Sequence, residues 1–220
     1  MFKIEKLDLL ISVYIFCIAV AELMGGKTFP LANILGYQLN ASVAIFVLPL
    51  IFTINDMITE VYGKERTRSI IRSGLFVIGL ILVFSLFATS LPPSRRFSGS
   101  ESSYDIIFGT SARIAFASLT AFTLAEFLDV FIFAKIRQRF GKKALWFRNN
   151  ASNFVSQFID TFIFMFLAFY AFDKSLDSNI GFLFSLILPY WLLKCLMSII
   201  ETPFVYLGVK WLKDGKKNKN

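Results

Sequence analysis

Apolar stretches long enough for a helix to cross a hydrocarbon core of about 30 Å recur along the chain, with short polar segments between them. Six stand out, at residues 8–25, 41–61, 69–90, 111–134, 150–172 and 182–209. Proline and glycine mark the breaks: Pro30 between the first two, Pro92 and Pro93 to Gly99, and the segment from Asp173 to Gly181. No soluble domain fits in these gaps. The pattern predicts an all-α membrane protein, a single six-helix transmembrane domain over residues 1–220. The stretch 8–25 follows a basic start, yet no small-residue cleavage site precedes a soluble mature domain, so it reads as helix one rather than a signal peptide.

Composition agrees with a lipid solvent: 56% hydrophobic residues, 27 Phe and a mean hydropathy of +0.64 exceed what a soluble core of 220 residues requires. The formal charge of +8 does not indicate nucleic acid, because Lys and Arg lie in short runs between apolar spans rather than on one amphipathic face. Topology accounts for them. The N-terminus (Lys3, Lys6), second loop (Lys64, Arg66, Arg68, Arg72), fourth loop (Lys135, Arg137, Arg139, Lys142, Lys143, Arg148) and C-terminus (Lys210, Lys213, Lys216, Lys217, Lys219) hold 17 cations. The opposite side holds Lys27, Arg95, Arg96 and Lys174, with Arg113 and Lys194 inside or at the edge of spans. That asymmetry places both termini in the cytoplasm of a multi-pass inner-membrane protein.

Histidine is absent, which removes His-based zinc sites, His-dependent hydrolytic triads and the commonest neutral-pH proton shuttle. Cys17 and Cys195 fall inside apolar spans without metal-type spacing and are expected to be free packing residues. No cofactor or metal is implied.

The chemistry lies in charges placed where a bilayer disfavours them: Glu22, Asp56, Glu60, Glu126, Asp129, Asp160 and Glu201, with Lys194 the deepest cation. A central ionised residue costs about 2.5–3.5 kcal/mol on insertion, while each Leu, Ile, Phe or Val returns only about 0.3–0.6 kcal/mol. Their spacing is ordered. Asp56 and Glu60 are four apart and Glu126 and Asp129 three apart, so each pair shares a helix face. In the fifth span Asn149, Asn153, Gln157 and Asp160 form one polar stripe that cannot point at lipid. Ala117, Ala121 and Ala125 form a small-residue seam leading to Asp129, which turns that face inward. Together these groups could line one polar cavity.

Plainer readings exist for several of them. Glu60 sits as well in headgroups beside Lys64, Asn149 and Asn150 serve as well to cap the fifth span, and Glu201 can pair with Lys194 on the same face. Pro189 and Pro203 either bend the sixth span or break it near a cavity. A faint echo between residues 52–68 and 125–143 fits either an old duplication or two cytoplasmic helix ends obeying one charge rule.

Residues 55–63, Asn-Asp-Met-Ile-Thr-Glu-Val-Tyr-Gly, supply an Asp-x-x-x-Glu-x-Tyr-Gly element through Asp56, Glu60, Tyr62 and Gly63. A second element covers Leu128 to Phe133, Leu145 to Ser152, Ser156, Gln157, Asp160 and Thr161. On these the chain resembles the queuosine precursor transporter family, also called the vitamin uptake transporter family. The resemblance implies uptake of 7-deazaguanine intermediates of the tRNA nucleoside queuosine, in their 7-cyano and 7-aminomethyl forms.

The residues suit such a solute. A guanine-like ring offers N1–H and an exocyclic amine as adjacent donors that one carboxylate accepts bidentately, while Asn and Gln amides read the other polar atoms. Asp160 or Asp129 is expected to take the donor edge, with Asn153 and Gln157 beside it. Asp56, Glu60, Glu126, Lys194 and Glu201 are assigned to gating or proton coupling. The expected partners are the 7-deazaguanine and membrane lipid, with no nucleic acid; a homodimer is left open. One rival is the substrate-binding subunit of a modular ATP-driven importer for a related heterocycle, which needs a docking surface for its energising partner. The other, an intramembrane enzyme, lacks a histidine, a serine–base arrangement or a metal motif to support it.

Overall fold

The apolar runs fold as helices, because a backbone in hydrocarbon must satisfy its own N–H and C=O groups. The computed structural model describes residues 4–140, 145–200 and 202–217; the side chains of 126, 129–130, 132–140, 145–153, 197–200, 202 and 214–217 are outside that description. Helix α1 is Lys6–Met24, α2 Leu48–Tyr62, α3 Lys64–Ser90, α4 Glu101–Phe140, α5 Leu145–Phe169, α6 Leu176–Ile200 and α7 Thr202–Lys217. Among the described residues, five helical stretches are long and apolar enough to cross a membrane: Lys6–Met24, Val43–Tyr62, Lys64–Ser90, Glu101–Ala125 and Leu176–Leu196. Phe154–Phe169, in α5, is a shorter apolar helix. The protein is a mostly helical, multi-pass membrane protein.

Two features depart from the sequence expectation. Between α1 and α2 the chain does not form a plain loop but a hairpin, β1 (Thr28–Ile34) and β2 (Tyr37–Ser42). Its two turn residues, Leu35 and Gly36, have φ of 51° and 85°, the primed geometry that matches strand twist. The fourth span begins at Glu101 rather than near 111, and α4 runs for 40 residues, about 60 Å of helix, so it extends well beyond a bilayer core. Within the expected span 182–209 the described helices are α6, up to Ile200, and α7, from Thr202, with residue 201 outside the described residues. Pro203 lies in α7. Pro189 remains inside α6.

The chain divides into two compact units. The first comprises Met1–Thr28, Ser42–Ala112 and Leu196–Asn220. In it α7 lays Val209 and Leu212 against Met57 of α2, with Leu10, Val61, Tyr62 and Val205 around them. Lys6 of α1 donates to the Trp211 carbonyl at 2.6 Å, its ammonium 4.7 Å from the Trp211 ring centre. The corner between α2 and α3 is one residue, Gly63, at φ 87° and ψ 162°, a region open only to glycine. Across it the Thr59 and Thr67 hydroxyls bond at 2.8 Å.

The second unit comprises Phe29–Ala41 and Arg113–Cys195. Here the alanine seam is buried at Ala117 and Ala121, half-buried at Ala125, and Ala117 packs with Ile114 against Ala168 of α5. Lipid is as apolar as these side chains, so the seam acts through close van der Waals fit rather than through the hydrophobic effect. The hairpin docks on α6: the Tyr37 hydroxyl donates to the Gly181 carbonyl at 2.7 Å, and the Asn40 amide to the Ser185 hydroxyl at 2.7 Å. Buried Asn179 ties the α5–α6 turn, accepting from the Ala171 N–H and donating to its carbonyl, both at 2.8 Å. Cys17 is buried, Cys195 is half-buried, and both are free.

Candidate functional site

Within the second unit, α5 carries Asp160 and α6 carries Lys194, and the two meet: Lys194 Nζ donates to Asp160 Oδ2 at 2.5 Å and to the Thr161 hydroxyl at 3.0 Å. Thr161 is itself buried, its hydroxyl donating back to the Gln157 carbonyl at 2.8 Å. The ammonium and carboxylate side chains are only 14% and 27% exposed, an ion pair between two apolar helices that screening by water reaches weakly. Neither oxygen nor nitrogen is exhausted by it. A carboxylate has about four lone-pair sites and an ammonium three N–H bonds, and among the described residues Asp160 Oδ1 accepts nothing. The pair can therefore take a polar ligand without first separating.

An aromatic group adjoins it. Trp191, one helical turn before Lys194, packs edge-on against Phe154 (centroids 4.7 Å apart) and Phe158 (5.3 Å) of α5. Its indole Nε1 is buried with no acceptor among the described residues. Gln157, half-buried, lies one turn before Asp160 on the same face of α5.

A further half-buried cation lies in this unit. Arg113, on α4, donates from Nε to the Leu167 carbonyl at 2.7 Å and from Nη2 to the Tyr170 carbonyl at 2.6 Å. These are carbonyls of the last turn of α5 and the residue beyond it, which have no partners within their own helix. A guanidinium satisfies them and complements the negative end of the helix dipole.

The remaining sequence-predicted residues divide as follows. Asp56 and Glu60 lie on α2 in the first unit, both exposed. Asp129 and Glu126 lie on α4 and Asn153 on α5, their side chains outside the described ones; Glu201 lies outside the described residues. For Lys194 the sequence offered a pairing with Glu201; the structure pairs it with Asp160, a partner the sequence reading did not name. Glu22, noted in the sequence but given no role, is buried on α1, 5% exposed. The sequence reading noted Arg113 only as a cation inside or at the edge of a span, without a role, and did not name Trp191. Arg113 had a visible signal, a charge inside an apolar stretch; Trp191 had none.

A cavity of about 580 Å³ also occurs, in the first unit, lined by Leu23, Met24, Lys27, Val43, Ile107 and Thr110 among others. Its size suits a small solute, but none of the acids or amides singled out in the sequence lines it. Its hydroxyl Ser111 is already bonded to the Leu23 and Ile107 carbonyls at 3.1 Å. Among the described residues no cluster of three His, Cys, Asp or Glu side chains could hold a metal ion.

Residues 42–208 match the family described as "Putative vitamin uptake transporter". The chain belongs to this family. The matched segment contains both Asp56–Gly63 and Asp160–Lys194. The family is one of transporters, not enzymes. The "Probable queuosine precursor transporter" of Bacillus subtilis is 30% identical over 207 residues, covering 92% of this chain and 84% of that protein. The "Queuosine precursor transporter" of Escherichia coli is 28% identical over 138 residues, 63% of this chain and 58% of that protein. A Haemophilus influenzae protein of the same "Probable" name is 29% identical over 136 residues, 61% and 54% respectively. No solved structure matches the chain.

Proposed function

We propose that this transporter carries queuosine precursors, the 7-cyano and 7-aminomethyl forms of 7-deazaguanine, across the inner membrane into the cell. The single observation carrying the reading is the Asp160–Lys194 pair, a hydrogen-bonding centre between apolar helices in a chain whose relatives bear that transporter name. Asp160 takes the N1–H and exocyclic amine of the ring. Gln157 and Asn153 continue the same helix face and read its remaining polar atoms, with Asp129 contributing from α4. Six spans with both termini cytoplasmic form one transport domain, with α5 and its apolar Phe154–Phe169 portion as the fifth crossing. Asp56 and Glu60, on one exposed face of α2, gate the path or relay protons, with Glu126 and Glu201 in the same coupling role.

The deciding experiment is restoration of queuosine in tRNA of a cell that makes no precursor and lacks its own transporter, supplied with each compound at limiting concentration. Expression of this chain alone should restore the nucleoside, and Asp160→Ala should abolish restoration. A requirement for co-expressed ATPase subunits would instead favour the importer-subunit reading. In the same cells, accumulation unaffected by collapse of the proton gradient would remove Asp56 and Glu60 from a coupling role.

A further inference from the structure

We infer that Lys194 is a substrate-reading residue rather than a gate, and that the Asp160–Lys194 pair acts as one unit recognising the whole polar edge of a 6-oxo-2-amino ring. The inference rests on the proposed function and gives Lys194 a different part in it. A guanine-type edge presents, in order, a carbonyl acceptor at position 6, the N1–H donor and the 2-amino donor. The structure presents the complement in the same order. Lys194 Nζ, a donor with one N–H left after Asp160 and Thr161, lies next to Asp160 Oδ2, and Oδ2 lies next to the unoccupied Oδ1. With N1–H on Oδ2 and the 2-amino group on Oδ1, the 6-carbonyl falls beside the ammonium.

The neighbours hold this order in place. The Thr161 hydroxyl fixes Nζ from the α5 side, and the edge-on packing of Trp191 on Phe154 and Phe158 fixes the helix turn from which Lys194 projects. An adenine-type edge would set an amine against the ammonium and a lone pair against Oδ2, two mismatches in a site sheltered from water. Polar groups left unpaired in such a site are what make a hydrogen-bonding pocket selective.

The test is competition against uptake of radiolabelled 7-cyano-7-deazaguanine into membrane vesicles, using unlabelled 7-deazaguanine and its 6-thio analogue. The thione keeps N1–H and the 2-amino group and weakens only the acceptor assigned to Lys194. The wild type should prefer the oxo compound by about 10-fold, the size expected for a charge-assisted hydrogen bond. In Lys194→Met that ratio should fall to about 1. Weaker uptake with an unmoved ratio would mean that Lys194 only supports the fold, and the inference fails. Should Lys194→Met not accumulate in the membrane, the exchanged pair Asp160→Lys/Lys194→Asp keeps the ion pair while reversing its order. It should lose the preference, and retention of the preference would equally overturn the inference. Absence of uptake by the wild type would end the proposed function and this inference together, whereas uptake with an unmoved ratio ends only the latter.

Discussion

At the scale of single residues, the bilayer makes each buried polar atom consequential, because water is not there to replace a lost partner. Arg113 shows this most directly. Its guanidinium holds two carbonyls at the end of α5, those of Leu167 and Tyr170, by bonds of 2.7 and 2.6 Å. Arg113→Leu would leave both carbonyls without that donor, at about 1–3 kcal/mol for each unsatisfied group. Arg113→Lys supplies one point donor in place of a fork and should recover only part of the loss. Thermal unfolding of the detergent-solubilised protein should therefore rank the wild type above Lys above Leu. A Leu variant as stable as the wild type would show that the contact contributes nothing. The same scale explains what the sequence could reveal of the site. Asp160 and Lys194 announce themselves as charges in apolar spans, but their pairing depends on how α5 and α6 are rotated, which spacing along one helix does not fix. The partners of Arg113 are backbone carbonyls, which leave no mark in the choice of residues at 167 and 170.

At the scale of elements, the spans were legible because the membrane imposes a length and a composition that few other environments demand. The hairpin was not. Its turn is Leu35–Gly36 rather than an Asn-Gly or Asp-Gly pair, and Pro30 argues against a strand except at an edge. The partner of α7 was not legible either: its Val209 and Leu212 pack on Met57 of α2. Gly63 was visible as the end of a motif, and the structure supplies its physical reason. It alone joins α2 to α3, at a φ of 87° with ψ 162° that an L side chain adopts only under strain. Gly63→Ala should destabilise the first unit by about 1–3 kcal/mol. Faster proteolysis near the α2–α3 corner in membranes is the expected readout. Unchanged protection would show that the corner relaxes to another conformation at no cost.

At the scale of the whole molecule, insertion and function are linked through the distribution of charge. The exposed apolar side chains of α3, among them Phe76, Leu80, Val83, Phe84 and Phe87, would be a liability in water and are an ordinary lipid-facing surface in a bilayer. With lipid satisfied by composition, orientation falls to the cations of the loops, which gather in the segments flanking α1, α3, α4 and α7. The hairpin carries no Lys or Arg between Thr28 and Ser42, and its tip, Leu35, is fully exposed. It is expected on the outer side of the membrane, opposite Lys213 near the C-terminus. This is measurable after replacing Cys17 and Cys195 by Ala and introducing Leu35→Cys or Lys213→Cys singly. A membrane-impermeant maleimide should label the cysteine at 35 in spheroplasts. The cysteine at 213 should be labelled only after permeabilisation. Labelling of both from one side would exclude the six-span arrangement with cytoplasmic termini. Labelling in the reverse order would mean that the charge bias does not set the orientation, and the direction of uptake proposed for this chain would have to be argued afresh.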